Sequence, residues 1–229
     1  MRELLLIRHG QASFSADDYD QLSAVGAQQS RLLGEWLAAC GPTPDQVAMG
    51  PRMRHRDTAT HCLHAAGVGH TPTVLDGLDE VDHLELLARL RPDLAAPGAL
   101  RAAMKQSDHP HRAFQHLFVQ ALERWTSGAH DDEYRKSWPR FRADVRQALE
   151  QLADSGAATL WAFTSGGPIA VIAAELLQTP PAHAFALSWP LVNTGVTRLR
   201  LGSGRPTLLT YNAWPHLERT RDANLVTLR

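Results

Sequence analysis

The 229-residue sequence holds only two cysteines, Cys40 and Cys62, set in different segments. That count excludes a disulfide framework and any Cys-x-x-Cys metal site. Charge of one sign is also missing. A formal net charge of −1 leaves no global field to draw nucleic acid or an anionic membrane. No apolar run approaches the length that crosses a bilayer, and the four apolar residues after Glu3 are too few for a signal-peptide core. A soluble cytoplasmic protein is the expectation. His55, His61 and His64 do not form His-Glu-x-x-His, so no zinc site is read there and no metal or cofactor is expected. Internal repeats and low-complexity tracts are absent.

What is present reads as alternating strands and helices. Leu4-Leu5-Leu6-Ile7 is a short continuous apolar run, the pattern of a parallel strand buried on both faces. Ser23 is a candidate N-cap for a helix whose apolar residues run from Val25 to Cys40, and Gly41-Pro42 ends it. Gln46 to Met49 reads as a second strand. Pro51 fits the first turn of a helix reaching about Ala66. Thr73 to Leu75 reads as a short third strand. Trp138 to Ala153 reads as a helix, Thr159 to Phe163 as a buried strand, and Ile169 to Leu177 as an apolar helix. Val196 to Leu201 and Thr207 to Tyr211 flank Gly202-Ser203-Gly204 as a hairpin. The fold class that follows is α/β, a three-layer α/β/α sandwich with a mostly parallel sheet and an antiparallel edge. Residues 1–229 read as a single domain. Asp76 to Ser137, with helical pieces at Leu84 to Leu90 and Phe114 to Trp125, reads as a helical insertion over one end of the sheet.

Two constellations carry chemistry. Arg8-His9-Gly10 directly follows the first strand, and the carboxyl ends of strands line the ligand crevice in open α/β sheets. Arg8 offers a rigid fork suited to phosphate, His9 a neutral imidazole nucleophile, and Gly10 close access for a ligand. The second, Gly50 to Ala59, opens a helix with Arg52, Arg54 and Arg56 near its N-terminus, where free N–H groups already favour an anion. The competing readings are an incidental surface pair and a solvated basic face.

Together these segments resemble the histidine phosphatase superfamily, the phosphoglycerate-mutase-like fold, over nearly the whole chain. Leu4 to Gly10 is similar to its strand followed by Arg-His-Gly. Leu22-Ser23-Ala24-Val25-Gly26-Ala27-Gln28-Gln29 is similar to its Leu-Ser-x-x-Gly-x-x-Gln. Gly50 through Ala59 resembles its Ser-Pro to Arg-Ala-x-x-Thr-Ala stretch, with Arg54 at the second phosphate-binding arginine. Leu78-Asp79-Glu80 resembles its Leu-x-Glu, which implies Glu80 as proton donor. Asn193 with Val196 to Leu199, and Asn212 to Leu217, resemble later family stretches, and His216 is taken as structural.

One departure stands out. The family's Thr-His-Gly-Gly is matched by Thr164-Ser165-Gly166-Gly167, so Ser165 stands where the resemblance calls for a second catalytic histidine. Ser165 donates a hydrogen bond but carries no positive charge. Loss of one such stabiliser typically costs roughly a hundred- to a thousand-fold in rate. His83, three residues after Glu80, would share a helix face with it and is a candidate replacement, with an ordinary polar role as the alternative. His183 and His216 are weaker candidates. Gln11, Ser13, Ser165 and Gly166 are candidate phosphate- or substrate-binding residues, and Phe14 and Tyr19 candidate substrate flanks. The resemblance implies a metal-independent phosphatase of small phosphorylated substrates. In it Arg8 and Arg54 clamp the phosphoryl group, His9 becomes phosphohistidine, and Glu80 serves as acid and then base. A mutase ranks lower, because the Asn of the family's mutase-like stretch has no match among Gln11 to Asp17. A catalytically weak phospho-ligand binder is the reading that Ser165 favours.

Overall fold

The computed structural model describes residues 2–13, 20–96, 98–105 and 109–228. In chain order the strands and α-helices are β1 (Arg2–Arg8), α1 (Ala24–Cys40), β2 (Gln46–Met49), α2 (Met53–Ala66), β3 (Thr73–Val74), α3 (His83–Leu90), α4 (Ala99–Lys105), α5 (Pro110–Thr126), α6 (Trp138–Asp154), β4 (Thr159–Thr164), α7 (Gly166–Leu176), β5 (Val196–Leu201), β6 (Thr207–Ala213) and α8 (Pro215–Glu218). They divide between two compact units, Met1–Glu80 with Asp144–Arg229, and Val81–Ala143. Asp76 to Glu80, read in the sequence as the start of the insertion, belong to the first unit.

The first unit is built on a six-stranded sheet of order β3-β2-β4-β1-β5-β6. β1, β2, β3 and β4 pair in parallel, while β5 pairs antiparallel with both β1 and β6. Leu4 to Ile7 are wholly buried, as are Leu160 to Phe163, because both strands lie inside the sheet with both faces covered. Side chains alternate across a strand. Leu5, Ile7, Val47, Trp161 and Phe163 accordingly meet Leu33, Leu37, Ala59, Cys62 and Leu63 of α1 and α2 in one apolar cluster. α7 is apolar nearly all round and buried from Gly166 to Ala174. The α/β class with its antiparallel edge is therefore what the chain adopts.

Helix boundaries differ from the sequence reading in instructive ways. Ser23 does cap α1, accepting from the Gly26 N–H at 3.0 Å. Pro51 lies outside α2, which starts at Met53 because Asp20, distant in sequence, accepts from the Met53 N–H at 2.7 Å. α7 starts at Gly166, three residues ahead of the expected Ile169.

In the second unit, α5 starts at Pro110, four residues before the expected Phe114, with proline in the first turn where its missing N–H costs nothing. α4 had no counterpart in the sequence reading. Trp125, Trp138 and Phe141 form the aromatic centre, with Trp125 ring centroids 5.1 Å and 5.5 Å from the other two. Asp82 caps α3 by accepting from the Glu85 N–H at 3.0 Å, and Arg135 reaches Asp82 at 2.5 Å. Among the described residues, no helix is long and apolar enough to cross a membrane.

Candidate active site

The parallel strands end together. Arg8 is level with Thr164 and Met49 with Phe163, so His9, Gly50 and Ser165 leave the sheet side by side. Backbone bonds fix the first of these. The His9 N–H donates to the Thr164 carbonyl at 2.9 Å, and the His9 carbonyl accepts from Asn193 Nδ2 at 3.1 Å. Thr194 donates its N–H to the Arg8 and His9 carbonyls at 3.1 and 3.3 Å. To do so it takes φ of 60°, a left-handed conformation that a β-branched residue adopts only under constraint.

A buried polar chain holds that constraint. The Gln11 N–H donates to Gln29 Oε1 (2.9 Å), Gln29 Nε2 donates to Thr227 Oγ1 (2.9 Å), and Thr227 Oγ1 donates to Asn193 Oδ1 (2.8 Å). Gln29 and Asn193 are wholly buried, so each lost partner would leave an unpaired polar group. On the other side, the Gly10 N–H donates to Thr58 Oγ1 of α2 at 3.0 Å. Gly10 and Gly26 nearly touch: a Cβ on Gly10 would lie 2.6 Å from the Gly26 carbonyl oxygen. The loop after β1 is thus pressed between α1 and α2.

The His9 ring is buried, with Nδ1 2.7 Å from the Gly10 carbonyl. A carbonyl only accepts, so Nδ1 carries the proton and Nε2 holds the lone pair. Burial lowers the His9 pKa well below the ordinary histidine value; the charges of Arg54, Arg8 and His55 add to this, and the Gly10 bond partly opposes it. The neutral, nucleophilic form is therefore favoured.

The other expected residues fall as follows. Arg54 is 5% exposed; its Nη1 meets Asp20 Oδ1 at 3.0 Å, and its Nε has no partner among the described residues. Arg8 donates through Nη1 to the carbonyls of Leu191 and Leu228. Glu80 accepts from the Gly167 N–H at 3.2 Å, which sets its carboxylate at the N-terminus of α7. Arg52 braces that stretch, bonding Asp79 Oδ1 at 2.5 Å and the Glu80 carbonyl at 3.2 Å. Gln11 uses its amide oxygen to accept from the Ser23 hydroxyl at 2.8 Å, and the Ser13 N–H donates to the Gln21 carbonyl at 2.7 Å. Ser165 and Gly166 are buried where β4 passes into α7. Phe14 and Tyr19 lie outside the described residues.

His83 corrects one expectation. It is the first residue of α3, because Asp82 caps the helix there. Glu80 precedes the helix, so the two do not share a helical face. His183 is exposed, whereas His216 is buried with Nε2 2.8 Å from Thr194 Oγ1, a structural position. The sequence reading missed His55, which is wholly buried with its ring centroid 5.8 Å from that of His9. A signal was available. Helical spacing sets residue 55 on the face of Ala59 and Cys62, the apolar side of α2.

The pattern of the Histidine phosphatase superfamily (branch 1) matches residues 4–213. The chain belongs to that superfamily. No curated protein sequence matches the chain. Among solved structures, a phosphoserine phosphatase mutant from Entamoeba histolytica in complex with phosphoserine is 20% identical, with a TM-score of 0.65 over 95% of this chain and 100% of its own. A mycobacterial glucosyl-3-phosphoglycerate phosphatase in complex with VO3 is 24% identical, with a TM-score of 0.59 over 93% and 100%. A putative alpha-ribazole-5'-P phosphatase from Escherichia coli is 16% identical, with a TM-score of 0.62 over 93% and 96%. At such identities the likeness is one of fold.

The depressed pKa of His9 bears on kinetics if His9 is the attacking group. A histidine titrating at its ordinary value would be about nine-tenths protonated one unit below it, and kcat/KM would fall roughly tenfold between pH 7.5 and 5.5. If His9 is the attacking group, the acid limb is expected well below pH 6.5, because burial favours its neutral form. kcat/KM for an aryl phosphate, allowing for the substrate's own second ionisation, checks this. A limb centred at pH 6.5 would contradict it.

Proposed function

We propose that the protein is a metal-independent phosphomonoesterase that works through a phosphohistidine on His9. The observation that carries the reading is the His9 ring: buried, held through Nδ1 by the Gly10 carbonyl, and presenting an unprotonated Nε2 near two arginines. An imidazole under the charges of Arg8 and Arg54 is disfavoured as a cation and favoured as an attacking group. Those arginines supply positive charge for the transferring phosphoryl group, whose transfer depends mainly on positioning and electrostatics. The buried Nε of Arg54 suits an anionic ligand that would complete its bonding.

In this reading Nε2 of His9 attacks phosphorus in line as the ester oxygen departs. Glu80 gives that oxygen a proton and then takes one from the water that cleaves the phosphohistidine. The N-terminus of α7 and the Ser165 hydroxyl complete the cradle. Ser165 takes the position of the family's second histidine. The substrate is a small phosphomonoester, in keeping with the phosphatase names of the similar structures.

Rapid quenching during turnover of 4-nitrophenyl phosphate is expected to trap phosphate on His9 that survives alkali and is lost in acid. Mass spectrometry of the alkaline digest locates it. Turnover with a phosphorylated carboxylate or serine in place of phosphohistidine would refute the assignment.

A further inference from the structure

The orientation of the His9 ring depends on two successive peptide planes. In the His9–Gly10 plane, the carbonyl accepts from Asn193 Nδ2 at 3.1 Å and the N–H donates to Thr58 Oγ1 at 3.0 Å. In the Gly10–Gln11 plane, the carbonyl holds His9 Nδ1 at 2.7 Å and the N–H donates to Gln29 Oε1 at 2.9 Å. A peptide unit is rigid, so fixing its N–H also fixes its carbonyl. Gly10 joins the two planes, and glycine resists their relative rotation less than any other residue. A tie outside the loop must hold them in register.

That tie runs through a single oxygen. Thr227 Oγ1 accepts from Gln29 Nε2 at 2.9 Å and donates to Asn193 Oδ1 at 2.8 Å. Backbone groups at both ends force these directions. The Gln11 N–H only donates, so Gln29 turns Oε1 toward it. Gln29 Nε2 then sends one proton to the Leu225 carbonyl at 2.8 Å and the other to Thr227. The His9 carbonyl only accepts, so Asn193 turns Nδ2 toward it and leaves Oδ1 for the Thr227 proton. Reversing any one bond sets donor against donor or acceptor against acceptor. The backbone around Thr227 is held to the same site. Its carbonyl accepts from the Asn193 N–H at 2.8 Å, and the Leu228 carbonyl accepts from Arg8 Nη1 at 2.9 Å.

We propose that Thr227 is a positioning residue: its hydroxyl locks the peptide planes on either side of Gly10 and so keeps the His9 proton on Nδ1 and the lone pair on Nε2. Its catalytic consequence rests on the phosphatase reading above. An unconstrained imidazole in water prefers the proton on Nε2, and the hydrogen bond made by the other nitrogen is what reverses that choice. The Gly10 carbonyl supplies this bond only while its plane faces the ring. Without the Thr227 hydroxyl, the wholly buried amides of Gln29 and Asn193 lose their shared partner. The Asn193 amide is then free to turn over, and both planes can rock about Gly10. A nitrogen that is misdirected or protonated attacks more slowly. Thr227 touches no substrate; it acts through His9.

The test uses the full chain, 4-nitrophenyl phosphate and nitrogen NMR of the His9 ring, its signals identified by their loss in His9→Ala. Thr227→Val keeps the side-chain shape and removes both bonds. It is expected to lower kcat about 10- to 100-fold with KM held within about threefold. Thr227→Ser returns the hydroxyl and is expected to stay within about threefold of wild type in kcat. Wild-type His9 is expected to show a protonated Nδ1 and a bare Nε2, and Thr227→Val a second population with the proton on Nε2. Mere loosening of the fold would leave the tautomer of the folded molecules unchanged, so the spectrum separates positioning from stability. Thermal melts establish that each variant is folded. If Thr227→Val is not, Thr227→Cys, whose thiol is a weak donor, takes its place with the same expectations. A folded variant within twofold of wild type in kcat overturns the inference, as does a serine variant no better than valine or a wild-type ring protonated on Nε2. If turnover dependent on His9 is present but insensitive to Thr227, only this inference fails. If such turnover is absent, the phosphatase reading fails, and the spectra alone decide whether Thr227 sets the tautomer.

Discussion

Replacing His9 by alanine is expected to lower phosphatase turnover by at least about four orders of magnitude, to near the rate without enzyme, and to abolish the phosphoenzyme. The size follows from what the ring does. Water cannot take its place readily, because the site is arranged around one nitrogen. Nδ1 is fixed by the Gly10 carbonyl at 2.7 Å, and the backbone on either side is bonded to Thr164, Asn193 and Thr194. Phosphate affinity should change far less, since Arg8, Arg54 and the start of α7 remain. Turnover of 4-nitrophenyl phosphate and calorimetric titration with inorganic phosphate measure the two effects separately. A variant that keeps more than a tenth of wild-type kcat would show that His9 is not the nucleophile.

Much of the fold was legible because its signals are local. Four apolar residues from Leu4 to Ile7 mark a strand only if both faces are covered, and both are. Ser23 marks a helix start by its own chemistry, and its bond to the Gly26 N–H is made within one turn. The misplaced boundaries depend on partners far away in sequence. Met53 begins α2 because Asp20 accepts its N–H, a contact that no window of a few residues contains. Gly166 and Gly167 look like a helix breaker in isolation, yet they form the first turn of α7, where Gly167 offers its N–H to Glu80.

The candidate site divides the same way. Arg8-His9-Gly10, Arg54 and Glu80 could be read from short patterns. The buried chain from Gln11 through Gln29 and Thr227 to Asn193 could not, because it joins four distant segments. His55 was readable but was weighed only against a metal-ligand spacing. Its place on the apolar face of α2 was the informative property. The shared helical face of Glu80 and His83 failed for the reverse reason: a helix was assumed to reach back to Glu80, whereas the Asp82 cap starts α3 after it.

Stability is expected to fall steeply as pH drops below 6.5. His9, His55 and His216 are all buried, and burial lowers the pKa of each; that of His216 is brought down to about 3. In the unfolded chain each histidine binds its proton near pH 6.5. Below that pH the unfolded state therefore holds protons the folded state refuses, and the unfolding free energy falls as pH falls. One such histidine contributes a slope of about 1.4 kcal/mol per pH unit, and three acting together roughly 4 kcal/mol per unit once pH is well below 6.5. Against a total of about 5–15 kcal/mol, that slope is enough to unfold a domain before most carboxylates titrate. For His216 the effect persists from pH 6.5 down to its folded value of about 3. Urea unfolding at pH 7, 6 and 5 measures the slope. His216→Gln, which keeps an N–H for Thr194, should flatten it by about a third, one histidine's share of the three. If inorganic phosphate binds at the proposed site, it should raise the midpoint at every pH, because a ligand of the folded state stabilises it. An unfolding free energy that stays level from pH 7 to 5 would mean that these rings take up protons without unfolding, and the neutral-His9 argument would fall with it.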